Sequence, residues 1–167
     1  MILPYVGLVM KSSKTGRVRS LSLAVLGILP LLTGGCTSFS YDWQKAARQF
    51  PAPADLQGCW QGTWVSEVNG HTDSLRCVIT KKDDGVYNAR FLARYHKVLS
   101  FGYTVPLKVQ PDADKFTFSG DANLGWLKGG LYHYEGHADV TNFFSTYRCK
   151  YDHGTFQMGR PEIPANK

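Results

Sequence analysis

Acidic residues are missing from the first 41 positions of this 167-residue chain, and beyond position 36 there is no apolar run long enough to span a membrane. Also missing are a Gly-x-Ser-x-Gly elbow, a His-Glu-x-x-His helix, a phosphate loop and a dinucleotide fingerprint. Their absence removes the local signals of hydrolase, metalloprotease and nucleotide chemistry. Carboxylates are few, and Asp83, Asp84, Asp112, Asp114 and Asp152 sit in turn-forming stretches, where an aspartate ordinarily bonds its own backbone. His71 and His153 read as solvated loop residues. No nucleophile is paired with a base, so the chain is expected not to be an enzyme and to need no cofactor.

The formal charge of +6 suggests an anionic partner until its position is considered. Of the 19 basic residues, Lys11, Lys14, Arg17 and Arg19 precede position 36; the other 15, against 13 acidic residues, leave the remainder near +2. No basic stripe interleaved with aromatics survives, which argues against a nucleic-acid role.

Residues 21–32 (LSLAVLGILPLL) are uncharged, follow the basic cluster, and are too short to cross a hydrocarbon core of roughly 30 Å as a permanent helix. They read as the apolar region of a signal peptide covering residues 1–35, with Met10 as an alternative start that gives a shorter basic leader. Thr33-Gly34-Gly35-Cys36 then places small residues before a thiol. The segment resembles a bacterial lipobox, with Thr33 where leucine is usual. That resemblance implies a diacylglycerol thioether and further acylation on Cys36, as the first residue of a mature lipoprotein anchored in the cell envelope. Thr37, in place of aspartate, favours the outer membrane over the inner by the same resemblance. The alternative is cleavage by the ordinary secretory peptidase, with Cys36 left as a thiol. Residues 36–56 read as a lipidated N-terminus and tether, with a short helix over 43–49 stopped by Pro51 and Pro53.

From 57 to 161 apolar residues alternate with polar ones and turn residues recur at short intervals, the pattern of an antiparallel meander; 162–167 is left as a tail. A two-residue turn at Asn69-Gly70 predicts Trp60 opposite Ile79, Gly62 opposite Cys77 and Trp64 opposite Leu75. A glycine-bulge turn at Gly85, with Lys82 opposite Val86, predicts Cys77 opposite Phe91, Ile79 opposite Ala89 and Leu75 opposite Ala93. Both turns place one set of residues inward. Further strands are expected at 103–110, 115–119, 130–135, 143–150 and 155–160, making eight strands in all. Eight short strands without intervening helices fit a closed all-β up-and-down barrel, with a β-sandwich as the alternative, because closure removes exposed edges.

Gly62-Thr63-Trp64, with a second copy in Gly58-Cys59-Trp60, resembles the Gly-x-Trp that opens the first strand of lipocalins and avidin-like proteins. The resemblance implies a small barrel in which a late basic residue, Arg148 or Arg160, packs across the tryptophan. It does not fix a function.

Three functional readings follow. The first is a binding or structural envelope lipoprotein whose interior is packed by Trp60, Trp64, Leu75, Ile79, Tyr87, Phe91 and Tyr95, so that partners meet its outer surface or loops. The second is a lipocalin-like carrier of a small apolar ligand. Its pocket would be drawn from Trp60, Trp64, Tyr87, Phe91, Tyr95, Tyr132 and Tyr134, under a glycine-containing lid at 123–130. The third is a metal-binding module of His133, Glu135 and His137, which alternate along a strand and share one side; Tyr132 and Tyr134 are the better core fillers, which turns that row toward water. Of the cysteines, Cys77 reads as a small buried hydrophobe, and Cys59 with Cys149 is the disulfide pairing left.

Overall fold

The computed structural model describes residues 34–49 and 54–162. Alternation with a period of two builds eight antiparallel strands: β1 (Gly58–Ser66), β2 (Thr72–Asp83), β3 (Val86–Tyr95), β4 (Leu99–Asp112), β5 (Lys115–Asn123), β6 (Leu131–Ala138), β7 (Asn142–Arg148) and β8 (His153–Gly159). Each pairs with the next, and β8 returns to β1, so the sheet closes into an up-and-down barrel. A sandwich is excluded by that closure. The β1–β8 seam is tight: a Cβ on Gly62 would lie 1.9 Å from the Gln157 carbonyl oxygen, and one on Gly154 would lie 1.8 Å from that of Val65. Only glycine lets the two backbones approach so closely.

The β2–β3 register is the expected one, with Ile79 facing Ala89, Cys77 facing Phe91 and Leu75 facing Ala93. The bulge falls between Lys81 and Asp83, so Asp83 rather than Lys82 meets Val86. The first hairpin differs. Trp60 faces Cys77, Gly62 faces Leu75 and Trp64 faces Asp73. The reason is the loop: Ser66 N–H donates to the His71 carbonyl (2.8 Å) and Gly70 N–H to the Ser66 carbonyl (2.9 Å), so the reversal takes four residues, Glu67 through Gly70. Asn69 Oδ1 accepts from His71 N–H (2.9 Å), and Gly70 supplies φ +71°. The slip is two residues, so every side chain keeps its face.

The expected tether is largely helical. α1 (Gly34–Ala47) begins well before 43 and packs on the outer wall, where Phe39, buried, joins Cys59 and Val78. Asp42 pairs with Arg90, whose guanidinium also reaches the Phe39 ring (5.8 Å). Residues 1–33, the side chain of Cys36 and residues 163–167 lie outside the described residues.

Strand direction gives the barrel two different ends. At the end formed by the β2–β3, β4–β5 and β6–β7 turns the interior is filled: Phe143 stacks on Phe118 (4.7 Å) and meets Trp60 at a tilt (5.8 Å), in one cluster with Leu107 and Ile79. Leu56 plugs this closed end, its carbonyl accepting from Trp60 Nε1 (2.8 Å). Arg160 lies across Trp60, 3.8 Å from the ring centroid, while Arg148 on β7 does not.

The expected disulfide does not form: Cys59, Cys77 and Cys149 are all free thiols. Cys59 starts β1 at the closed end, facing outward beneath α1 with its thiol on the Trp43 carbonyl (3.4 Å), whereas Cys149 follows β7 at the other end. Cys77 is fully buried inside, as expected.

Outward side chains such as Arg76, Arg90, Lys108 and Glu135 are polar or charged. A barrel that crosses a membrane needs an apolar outward band instead. Among the described residues no helix is long and apolar enough to cross one.

Candidate functional site: a tyrosine-lined cavity at the open end

The interior is not packed throughout. Above the level of Phe91 the inward side chains no longer meet, leaving a cavity of about 310 Å³ that opens between the β1–β2, β3–β4, β5–β6 and β7–β8 loops. That volume is at the small end of ligand sites, which run from about 300 to 1,000 Å³. It overturns the fully packed interior expected for the first reading.

The floor is aromatic. Phe91, buried, stacks on Tyr103 (5.3 Å) and Tyr134 (6.3 Å) and meets Phe156 (5.5 Å). Tyr147 packs on Phe156 (5.0 Å) and Tyr132 stacks on Tyr134 (6.1 Å), so each ring is held by another. Trp64 and Tyr95 form the rim on β1 and β3, stacked 6.3 Å apart, and Trp64 Nε1 donates to the Arg94 carbonyl (2.9 Å). His71 is not a free loop residue: its half-buried ring meets Trp64 (5.1 Å) and Tyr95 (4.6 Å). His153 stays near the surface, 3.7 Å from Glu67.

One carboxylate enters this aromatic space. Asp152, in the β7–β8 turn, accepts from Ser66 Oγ (2.6 Å) and from the Tyr147 hydroxyl (3.1 Å). Burial raises the hydroxyls of Tyr103, Tyr132, Tyr134 and Tyr147 above the ordinary tyrosine range, with Asp152 adding to the effect at Tyr147 and Cys149 at Tyr132. They therefore remain neutral; Tyr147 gives its proton to Asp152, and a hydroxyl not so committed can orient a polar edge of a guest whose body stacks on the rings.

The β5–β6 segment lies over the mouth. Gly129, at φ +92°, sits so near Tyr132 that a Cβ there would be 2.8 Å from the hydroxyl. Leu124 and Lys128 line the opening, while Trp126 points to solvent, 85 % exposed.

Of the residues expected to form a pocket, Trp64, Tyr95, Tyr132 and Tyr134 line the cavity and Phe91 underlies it. Trp60 and Tyr87 do not; both are buried in the filled closed half. Tyr103, Tyr147, Phe156 and Asp152 were not anticipated, although alternation on β4, β7 and β8 carried the signal for the first three.

His133, Glu135 and His137 all face water. His133 bonds Asp121 and His137 packs on Phe144 (5.4 Å). Among the described residues no three His, Cys, Asp or Glu side chains gather to hold a metal ion.

No protein-family model, curated protein or solved structure matches this chain.

Proposed function

We propose that this is a lipoprotein of the bacterial cell envelope whose barrel binds a small, ring-bearing apolar molecule in the open-end cavity. The cavity carries the binding half: about 310 Å³ walled by Trp64, Tyr103, Tyr132, Tyr134 and Tyr147, with Asp152 as its one interior carboxylate. Stacking would hold the guest, and a neutral hydroxyl not committed to Asp152 would fix its orientation. The closed end supports a lipocalin-like reading, since Arg160 covers Trp60 and also donates to the carbonyls of Gln57 (2.6 Å) and Asp55 (2.8 Å). The anchoring half rests on the sequence alone: a basic cluster, a short apolar run, then Thr33-Gly34-Gly35-Cys36. The site reads as a binder, because the hydroxyls of Ser66 and Tyr147 are already committed to Asp152.

The test is native mass spectrometry of the protein extracted from its own envelope, alongside an Ala93→Phe variant. Ala93 lines the cavity, so a phenyl group there occupies the guest's space. A small molecule should leave with the wild-type protein and be absent from a folded Ala93→Phe. Repeated preparations of wild type without any bound molecule would overturn the carrier reading.

A further inference from the structure

The two ends of the barrel differ in surface chemistry as sharply as in packing. The closed-end turns mix both signs of charge, Lys81 and Lys82 with Asp83 and Asp84 (β2–β3), Lys115 with Asp112 and Asp114 (β4–β5), and Asp139 (β6–β7), with Val140 as their exposed large apolar residue. The open-end loops carry many more exposed apolar side chains. Val68 is exposed in the first, Val98 (83 %) and Leu99 in the second, Trp126 (85 %) and Leu131 in the third, and Tyr151 in the fourth. Such a ring of exposed apolar side chains on all four loops of one end marks an interaction surface.

Its charge says which kind. Lys97, Lys128 and Lys150 are exposed on three of those loops. Two lie over aromatic rings, Lys128 on Phe101 (5.8 Å) and Lys150 on Tyr151 (5.1 Å). Asp73, Asp152 and Glu67 add negative charge at this end but turn elsewhere: Asp73 takes the backbone N–H of Lys97 (2.8 Å) and Ser74 (2.7 Å), Asp152 takes Ser66 and Tyr147, and Glu67 lies by His153, so that among the described residues no carboxylate pairs with the three lysine ammonium groups. A rim of tryptophan, tyrosine and aliphatic tips between lysines fits the interface of a bilayer with anionic headgroups.

We infer that the open rim docks on an anionic phospholipid surface, with Trp126 entering the interfacial layer and the three lysines over the headgroups. The cavity mouth then opens onto lipid. This goes beyond the carrier reading and does not depend on it, because of the rim residues Lys128 alone also lines the cavity.

The experiment uses the full chain reconstituted into vesicles of phosphatidylglycerol and phosphatidylcholine whose acyl chains are brominated. Trp126 is isolated as the fluorescence difference between wild type and Trp126→Phe. In phosphatidylglycerol-rich vesicles the Trp126 signal should shift to the blue and be quenched. Lys97→Glu with Lys128→Glu should lower the docked-to-undocked ratio by about fivefold or more for each lysine. Ala93→Phe should dock like wild type, which separates failure of the cavity reading from failure of this one. A Trp126 signal that stays water-like and unquenched overturns the inference, and then a protein becomes the partner for the rim. Equal quenching in pure phosphatidylcholine overturns its charge requirement.

Discussion

Arg160 lies over Trp60, its guanidinium carbon 3.8 Å from the ring centroid, and ties two backbone segments, at Val140 and at Asp55 to Gln57, to the barrel floor. Its Nε donates to the Val140 carbonyl (2.9 Å), and its two terminal nitrogens donate to those of Gln57 and Asp55. Three charge-assisted hydrogen bonds and a partly desolvated cation–π contact act at one residue. Arg160→Met should cost about 2–4 kcal/mol by urea unfolding, given about 1.5–3 kcal/mol for a hydrogen bond to a charged group. Arg160→Lys should recover little, since one ammonium cannot reach three carbonyls and stack as well. A loss below about 0.5 kcal/mol would show that the closed end holds without this clasp.

The cavity tyrosines make a pH prediction. Burial holds Tyr103, Tyr132, Tyr134 and Tyr147 above their unfolded value, so between the unfolded and folded values the unfolded chain binds fewer protons and stability falls as pH rises. Nothing is lost below about pH 10 on this account. In a spectrophotometric titration these four should ionise late, together with loss of the near-ultraviolet dichroism of the folded barrel. Their ionisation near pH 10 in an intact barrel would show that the cavity is wetter than its walls imply.

Thiol mapping tests the absent disulfide. Burial pushes the Cys59 thiol up to about 11 and that of Cys77 well above its usual range, so neither offers thiolate at pH 8. Alkylation of the folded protein followed by peptide mass analysis should label Cys149 first and the other two only on unfolding. A peptide joining Cys59 to Cys149 would contradict the structure, which puts them at opposite ends.

Cys36→Ser tests the anchor. Several acyl chains hold a protein firmly whereas a single one binds marginally, and with the rest of the chain near +2 the lipid supplies most of the attachment. The variant should leave the membrane pellet or remain an uncleaved precursor, and fatty-acid labelling should cease. Absence of fatty-acid label from the parent, or a variant that is processed and pellets like the parent even after a high-salt wash that screens the lysine rim, would refute lipidation.

How far the fold was legible depends on which interactions decide each feature. Inward and outward faces follow from alternation, which survives even a wrong turn: the loop after Ser66 is longer than Asn69-Gly70 suggests, yet Trp60 and Trp64 still face inward because the slip is even. Position along the barrel axis is another matter. Trp60 and Trp64 look equivalent in sequence, but one starts β1 at the filled end and the other ends it at the open mouth. Asp152 reads as a turn residue and is one; its reach to Ser66, 86 residues earlier, appears only on closure. The helix extends beyond the 43–49 that the sequence predicts, and the docking of Phe39 against Cys59 and Val78 that accompanies its earlier turns appears only in the folded barrel.

That docking changes what an anchor at Cys36 would mean. A flexible tether of 20 residues would let the barrel wander roughly 25 Å from its lipid. Here Cys36 is in a helix, about 4.5 Å along the axis from Phe39, which is pinned to the wall. A lipid on that residue would act through a strut and not a leash: the barrel would keep a fixed azimuth toward the membrane, with little slack to reach partners across the envelope.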